Sequence, residues 1–433
     1  MTRQPLVQGA GLFKTFLVML FCHMSVTFLC VNVMFDLFVA GIPIYLLNMI
    51  GILPSQAFFK LTTLITNWTT PIVYGIPMVI SGTKVYIDNV DILNSAKERD
   101  SLLLANHGSR VDWMVGMMIG HLTKLGKHPG ERCRVGFVCE ALIQMMPLIG
   151  WYRKIICNDI FVWRSFDKDA PTIKKNISSF KRYNEQRMLF LSPEGVIVDH
   201  DEKDMKYILQ CRQFSINNGY TPFEYVLTPR YKGTTCLLDQ IDGDGPFVSA
   251  CLVFVRDGKL LNCKLLSPNR VIPDIYDLNQ GIAGKPVSIY VHVRMMEIKN
   301  DDQFDAKARL MEEYKWKDSI LKEWDLALKQ GPGPSIEWFS QFKVVERNVI
   351  EIAINHVLHM IAILMFSLSF QWTNELLTII CVIFIIVTTT HTLGWMVNQA
   401  SMESVPFETG IKALITFLIS FQEKKRVAMK KYV

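Results

Sequence analysis

Long apolar stretches at both ends of the chain constrain its fold more than any other feature. Between Leu12 and Leu53 the only charged residues are Lys14 and Asp36, so this region is long enough for one long membrane span or two closely spaced ones. A cleavable signal peptide is disfavoured, because the apolar region far exceeds the hydrophobic core of a signal and no clear small-residue cleavage site follows it. We therefore predict an N-terminal membrane anchor over residues 1–54.

The second apolar region lies near the carboxyl end. Two apolar runs, Ile352–Phe370 and Leu376–Val397, are separated by a short polar link, which predicts a transmembrane helical hairpin over residues 350–398. The run Ile411–Phe421 is too short to span a bilayer. Residues 399–433 are therefore predicted to form an interfacial segment followed by a basic tail.

The tail, QEKKRVAMKKYV, places Lys430 and Lys431 at the fourth and third positions from the carboxyl end. This arrangement resembles the dilysine retrieval signal of endoplasmic-reticulum membrane proteins, which retrieval coat machinery binds. A juxtamembrane basic patch is the alternative interpretation. Both interpretations place the tail in the cytosol. Because a hairpin returns the chain to its starting side, the central segment would also face the cytosol.

The central segment has the alternating pattern of an α/β domain. We predict a cytosol-facing layered domain over residues 55–300 with a mixed, partly parallel sheet, followed by an amphipathic helical connector over residues 301–349 whose helix, Asp301–Gln330, presents a packing face. The predicted strands are Lys84–Ile87, Leu102–Ala105, Val135–Val138, Ile160–Trp163, Met188–Leu191, Tyr225–Leu227, Ala250–Val255 and Val287–Val293. The predicted helices between them are Arg110–Thr123, Pro171–Asn184, Met205–Asn218 and Tyr231–Gln240.

Composition excludes several classes of protein. The ten cysteines include no C-x-x-C pair, so neither a zinc site nor a disulfide framework is predicted, and the formal net charge of +6 comes without the basic and aromatic run of many nucleic-acid binders. His356 and His359 lie on one helix face at the start of the predicted hairpin. We interpret them as interfacial or helix-packing residues rather than metal ligands.

The sequence NHGSRVD carries the first candidate for chemistry. The apolar strand Leu102–Ala105 runs into Asn106 and delivers His107 at its end. If a helix begins near Ser109, the carboxylate of Asp112 in its first turn can reach back to the imidazole. A carboxylate on one ring nitrogen fixes the tautomer and leaves the other nitrogen free to accept a proton from a hydroxyl.

Polar groups also follow three other predicted strands. Ile160–Trp163 is followed by Arg164, Met188–Leu191 by S-P-E-G with Glu194 and Gly195, and Tyr225–Leu227 by T-P-R with Pro229 and Arg230. Polar groups at the ends of neighbouring strands of an α/β sheet are expected to share one site.

These blocks, N-H-x-x-x-x-D, a strand-terminal arginine, P-E-G and a late P-R, resemble the four motifs of the glycerophosphate and lysophospholipid acyltransferase family. The resemblance covers roughly Ile87 to Arg256. The stretches NHGSRVDWM and FEYVLTPRYKGTTCLLDQI look closest to the branch with lysocardiolipin, lysophosphatidylinositol and 1-acylglycerol-3-phosphate acyltransferases. The resemblance implies transfer of an acyl group from acyl-CoA, a co-substrate rather than a bound cofactor, to a free hydroxyl of a lysophospholipid.

The resemblance also implies roles for individual residues. His107 would be the general base and Asp112 its orienting partner, and Arg164, Glu194 and Gly195 would line the acceptor site. The remaining motif residues are Asn106, which supports the first motif, and Pro229 and Arg230, which would either complete the acceptor site or position the acyl donor. No metal site is implied.

One departure from the family pattern stands out. The family usually continues P-E-G with Thr and then Arg or Asp, whereas this chain has Val196 and Ile197. Phosphate contacts from those two positions must be absent or supplied elsewhere, with Lys203 and Arg212 as candidates. A non-catalytic lipid-binding or scaffolding relative is therefore the alternative function. The acyl chain, the head group and the glycerol position acylated are left open by the sequence.

Overall fold

The computed structural model describes residues 12–95, 101–122, 134–183, 187–199, 201–241, 247–296, 305–330, 342–344, 354 and 356–362. Almost all of these residues lie in one compact unit, Leu12–Met360. Most of the predicted C-terminal hairpin, the interfacial segment and the basic tail lie outside the described residues.

The N-terminal apolar region forms one continuous helix rather than two. Helix α1 (Leu12–Phe35) passes through a π-helical turn (Asp36–Gly41) into α2 (Ile42–Met49). Within the described residues, one helix, Leu29–Met49, is long and apolar enough to cross a membrane. Spanning helices at both ends of the chain therefore remain a prediction.

A second long helix, α3 (Ser55–Ile80), was not predicted from the sequence. It follows α2 after a short turn and packs against α1. Pro71 and Pro77 lie inside it, and internal prolines normally end or kink a helix. Packing against α1 and against the sheet domain overrides that local preference.

Asp36 is buried inside the helix that carries the candidate span. Its carboxylate accepts a hydrogen bond from the Thr69 hydroxyl of α3 and lies 3.2 Å from Nε2 of His359. The His359 ring also packs against the rings of Phe35 and Trp68. These contacts satisfy the buried carboxylate and give His359 a helix-packing role.

The central segment forms a mixed, partly parallel sheet, so the α/β fold predicted from the sequence is confirmed. The strands in the described residues are β1 (Lys84–Ile87), β2 (Ser101–Ala105), β3 (Arg134–Glu140), β4 (Ile160–Val162), β5 (Arg187–Leu191), β6 (Phe247–Arg256), β7 (Lys259–Leu260), β8 (Ser288–Met295) and β9 (Lys343–Val344). Their order in the sheet is β4-β3-β5-β2-β6-β8-β1-β9, with β7 paired to β6. The strands from β4 to β6 run parallel, β8 is antiparallel to β6, and β1 is parallel to β8.

Helices cover both faces of this sheet. Besides α1 to α3, the described helices are α4 (Val90–Ser95), α5 (Asp112–Leu122), α6 (Ile149–Ile155), α7 (Phe166–Arg182), α8 (Glu202–Asn217), α9 (Tyr231–Gln240), α10 (Ile275–Asn279) and α11 (Ala306–Gln330), with short 3₁₀ helices at Ala141–Met145 and Gln280–Ala283. Along β2, Leu103 and Ala105 point into one apolar cluster with α3 and α5, whereas Leu102 and Leu104 point into a second cluster with α7, α9 and α11. This alternation is the period-2 pattern of a strand buried on both faces.

The predicted strand Tyr225–Leu227 is wrong. This segment pairs with no strand in the described part of the chain, because a side chain of α11 takes the place of a neighbouring strand. The backbone N–H groups of Glu224, Tyr225 and Val226 all donate to Oδ1 of Asp318, at 3.0, 2.7 and 3.3 Å. One carboxylate oxygen thus satisfies three backbone donors, two of which belong to the predicted strand.

Candidate active site

His107 follows the end of β2 and is paired with the first residue of α5. Its Nδ1 lies 3.0 Å from Oδ2 of Asp112. Ser109 connects the two elements: its backbone N–H donates to Oδ2 of Asp112, its hydroxyl donates to Oδ1, and the same hydroxyl accepts from the N–H of Val111. Ser109 therefore fixes the orientation of the Asp112 carboxylate, which in turn contacts the imidazole of His107.

The turn that carries His107 is fixed by its two neighbours. The Asn106 amide both donates to and accepts from the backbone of Leu252 in β6, which extends the strand pairing beyond the end of β2. A Cβ on Gly108 would lie 2.9 Å from Nδ2 of Asn262, closer than side chains normally approach. Glycine at this position lets the turn pack against a buried asparagine.

His107 and Asp112 differ in their exposure to solvent. The Asp112 side chain is 2% exposed and that of His107 is 27% exposed. Because the carboxylate engages Nδ1, the neutral imidazole carries its proton there. Nε2 makes no hydrogen bond to any described residue, so it is the nitrogen available to a substrate.

Glu194 lies beneath this turn. Both of its carboxylate oxygens are used by backbone donors: Oε1 accepts from the N–H of His107 at 2.9 Å, and Oε2 accepts from the N–H of Leu227 at 3.3 Å. Burial raises the pKa of the Glu194 carboxyl above its usual range, and these two hydrogen bonds oppose the shift. Glu194 therefore holds the turn that carries His107, and its buried carboxylate does not face solvent.

Two arginines flank Gly195. Nη2 of Arg164 donates to the carbonyl of Gly195 at 2.7 Å and to Oε2 of Glu140 at 3.0 Å. On the other side, a Cβ on Gly195, whose φ is 71°, would lie 3.4 Å from Cδ of Arg230. Arg164 itself has a φ of 62°. This left-handed conformation costs a residue with a Cβ about 1 to 2 kcal/mol, and the two hydrogen bonds hold it.

The P-R segment is tied to the P-E-G segment. The N–H of Arg230 donates to the carbonyl of Pro193 at 2.8 Å, directly after Pro229. The Arg230 guanidinium is exposed and donates from Nε and Nη2 to the hydroxyl of Tyr207 on α8. The structure thus brings the third and fourth motifs together even though no strand precedes Pro229.

Val196, the first residue after P-E-G that departs from the family pattern, packs in an apolar environment. Val196 packs on a small buried cluster instead of presenting a hydroxyl to the site; its members are Val198, Ile208, Leu227 and Leu265. Of the two replacement candidates, Lys203 is exposed in the first turn of α8, and Arg212 lies farther along the same helix near Glu224. Neither makes a contact with the histidine turn among the contacts of the described residues.

Helix α11 contributes two site residues that the sequence did not reveal. The Tyr314 hydroxyl donates to the carbonyl of Ala105 at 3.3 Å and lies near the backbone of Glu194. Nζ of Lys317 donates to the carbonyl of Leu104 at 2.7 Å. Both side chains are fully buried. The signal in the sequence was a lysine at a buried position of the helical stripe that contains Leu310, Tyr314, Leu321 and Trp324.

Replacing Tyr314 with phenylalanine should remove its hydrogen bond to the end of β2 while the aromatic ring still fills its place in the core. The ring remains, but the Ala105 carbonyl loses a donor, so we expect about 1 to 3 kcal/mol of lost stability and a fall in the kcat of the site larger than any change in KM. Steady-state kinetics and thermal unfolding in detergent measure both. The matched control is Tyr225→Phe, which removes a buried hydroxyl bonded to Asp325 of the same helix. Equal losses of kcat in the two variants would contradict a positioning role for Tyr314.

Lys317 makes stability depend on pH. Burial lowers the pKa of Lys317 from its ordinary 10.5 to about 8, so folding favours the neutral amine. The stability it contributes is fully present above pH 10.5 and is lost as the pH falls through 8. We expect the unfolding free energy of the wild type, relative to Lys317→Met, to rise by about 2 to 3 kcal/mol between pH 7 and pH 10. Denaturant titrations at both pH values test this, and parallel pH profiles would contradict it.

Comparison with known proteins agrees with the motifs. No family model matches the chain. It is 28% identical over 229 residues to a probable 1-acyl-sn-glycerol-3-phosphate acyltransferase 5 of Arabidopsis thaliana, covering 52% of this chain and 53% of the relative. It is 26% identical over 199 residues to lysocardiolipin acyltransferase 1 of Danio rerio, covering 46% and 47%.

These similarities support the acyltransferase family that the four motifs predicted, and that prediction is confirmed. The chain spans about half the length of these curated relatives. Among solved structures, PlsC of Thermotoga maritima, a 1-acyl-sn-glycerophosphate acyltransferase, aligns over 74% of this chain and 100% of its own, with a TM-score of 0.39 and 13% identity.

Proposed function

We propose that this chain is an acyl-CoA-dependent acyltransferase that esterifies a free hydroxyl of a lysophospholipid. One observation carries the proposal: His107 is oriented through Nδ1 by a buried carboxylate, while its half-buried ring keeps Nε2 available. A thioester is already activated, so the demanding task is to raise the nucleophilicity of an alcohol. A positioned base contributes about 10²- to 10⁴-fold to such a step.

The reaction then proceeds without a covalent enzyme intermediate. Nε2 of His107 accepts the proton of the acceptor hydroxyl while the oxygen attacks the thioester carbonyl, and Asp112 stabilises the imidazolium that forms. A carbon–oxygen bond forms and the carbon–sulfur bond breaks. The imidazolium returns its proton to the departing thiolate of coenzyme A, so that the histidine is ready for another cycle.

The two arginines beside Gly195, Arg164 and Arg230, are suited to bind a phosphate group of the acceptor. A guanidinium fork binds phosphate oxygens in a planar, paired geometry, and Arg164 has N–H groups that bond to no described residue. Glu140 already neutralises part of its charge, so a phosphate would compete with that carboxylate. Arg230 either completes this acceptor site or positions the acyl donor. The proposed acceptors are lysophosphatidic acid, lysophosphatidylinositol and monolysocardiolipin.

The proposed location is the endoplasmic-reticulum membrane. The chain would be anchored at both ends, with the catalytic domain and tail in the cytosol, where acyl-CoA is available. The dilysine-like tail would bind retrieval coat machinery. Support comes from the apolar runs of the sequence and from the candidate span Leu29–Met49.

A non-catalytic lipid-binding relative is the second candidate. The packing of Val196 into an apolar cluster favours it, because a polar position of the family motif is lost there. The retained pair His107 and Asp112, in hydrogen-bonding geometry, favours the enzyme.

Transfer of labelled acyl groups decides between the two. Membranes that contain the full chain are incubated with a panel of acyl-CoA donors and the three proposed acceptors, and the products are separated. We expect one acceptor to yield a diacyl product that His107→Ala membranes do not form. If folded wild-type protein forms no product with any acceptor, the lipid-binding function replaces the enzyme.

A further inference from the structure

An exposed apolar surface lies beside Arg164, at the ends of β3 and β4. It is built by the 3₁₀ helix Ala141–Met145, by α6 and by the residues that follow β4. We call it the Trp151 surface. Its large apolar side chains have exposed fractions between 41% and 64%, and they are Leu142, Met145, Trp151, Trp163 and Phe166. Clustered exposure of this kind marks an interaction site more often than an ordinary surface.

The two short helices of this surface form one packed unit. A Cβ on Gly150 would lie 1.9 Å from the carbonyl oxygen of Ile143, so only glycine lets α6 approach the 3₁₀ helix this closely. The side after β4 is fixed to the same place, because Glu140 pairs with Val162 in the sheet and its carboxylate holds Arg164. The exposed side chains therefore share one end of adjacent strands.

The 3₁₀ helix and α6 carry little charge, which suits a surface in the headgroup region of a bilayer. The sequence from Ala141 to Ile156 contains no acidic residue and two basic ones. Arg153 is used internally, in an ion pair with the buried Asp159, whereas Lys154 is on the outside and bonds to the side chain of Gln144. Exposed tryptophan and lysine on an otherwise apolar helix are typical of the membrane interface.

The Trp151 surface is continuous with the candidate membrane span. Ile156, directly after α6, lies against Gly41, where a Cβ would come within 2.7 Å of its Cδ1. Val33, Tyr152 and Ile156 share one buried cluster. Helix α6 thus packs along the part of Leu29–Met49 between Val33 and Gly41, so that a bilayer around this span also reaches α6.

We propose that the Trp151 surface is a second membrane contact, which lies in the headgroup region of a phospholipid bilayer and holds the Arg164 side of the site at the lipid surface. An acceptor lipid would then reach Arg164 laterally, without leaving the membrane. The contact itself does not depend on catalysis, and only the lateral access of the acceptor lipid rests on the proposed function.

Lipid labelling of the full wild-type chain in phospholipid vesicles tests the contact. A phospholipid with a photoreactive acyl chain is irradiated, and the adducts are mapped by peptide mass spectrometry. We expect adducts between Leu142 and Trp151 and none at Leu326, a leucine of α11 that is 47% exposed. Adducts at both places alike, or none between Leu142 and Trp151, would overturn the proposal.

Thiol accessibility supplies a matched pair of variants. Met145→Cys and Leu326→Cys are treated in vesicles with a water-soluble maleimide, and modification of each site is followed by mass spectrometry. We expect modification of Met145→Cys to be lost while Leu326→Cys reacts. Equal reaction would exclude a bilayer contact. Protection without any lipid adduct would mean that another protein covers this surface, which also defeats the proposal.

Kinetics separate this proposal from the proposed function. Met145→Glu should raise KM for a long-chain acceptor in vesicles but not for a short-chain, water-soluble one. Inactive wild-type protein that still acquires the lipid adducts would reject the enzyme and keep the membrane contact. Active protein without adducts would reject the membrane contact and keep the enzyme.

Discussion

Replacing His107 with alanine is expected to lower the rate of acyl transfer by about 10²- to 10⁴-fold, because the base that accepts the proton of the hydroxyl is removed. Folding should be preserved. The hydrogen bond from residue 107 to Glu194 comes from the backbone N–H, which alanine retains, and the ring itself is partly exposed. Initial rates with saturating acyl-CoA, together with thermal unfolding of the same preparation, measure the two effects.

The chain offers its own control in a second histidine–aspartate pair. His292 meets Oδ2 of Asp88 through Nδ1 at 2.8 Å, but its Nε2 accepts from the indole N–H of Trp324, and the whole group is buried. With both nitrogens occupied, this histidine can only be structural. His292→Ala should lower stability while each folded molecule keeps its transfer rate. Full activity of a folded His107→Ala protein would remove His107 from the mechanism.

Asp112→Asn is expected to give the second largest loss, again about 10²- to 10⁴-fold. An amide cannot supply two acceptor oxygens to the three donors that the carboxylate now satisfies from His107 and Ser109. If its NH₂ faces the imidazole, the ring adopts the wrong tautomer and Nε2 carries the proton. If its oxygen faces the imidazole, the tautomer is kept but the charge that stabilises the imidazolium is gone.

Ser109→Ala is the matched control for this substitution. It removes the hydroxyl bonded to Oδ1 but keeps the negative charge and the contact with the ring. We expect a loss of about tenfold, the lower end of what one hydrogen bond to a charged group contributes, about 1.5 to 3 kcal/mol. Rates measured side by side decide the matter: an asparagine variant no slower than the alanine variant would show that the charge of Asp112 does not contribute.

The strand that delivers His107 was predictable because its signal is local. An apolar run followed by N-H-G-S fixes both the end of β2 and the start of α5 within a few residues. Predictions failed where distant side chains decide the local structure. Tyr225–Leu227 has the composition of a strand, but Asp318, more than ninety residues away, takes its hydrogen bonds. Helix α3 was missed because packing overrides two internal prolines.

The candidate site shows the same division. Motif spacing predicted the pair His107 and Asp112 and the grouping of Arg164 with Gly195. It could not predict that the Glu194 carboxylate is turned inward to backbone donors, or that Tyr314 and Lys317 hold β2, since both depend on how α11 packs. The roles of the motif residues in catalysis, and the domain boundaries, stay predictions.

The position of α11 bears on when the site is completed during synthesis. All four motifs have been translated by Arg230, yet the hydroxyl that bonds to the last residue of β2, close to the P-E-G segment, belongs to Tyr314. A nascent chain that has passed the last motif therefore still lacks part of its scaffold until α11 has left the ribosome. For the same reason, a fragment cut at residue 300 would contain every motif and still lack the contacts that Tyr314 and Lys317 make with the end of β2.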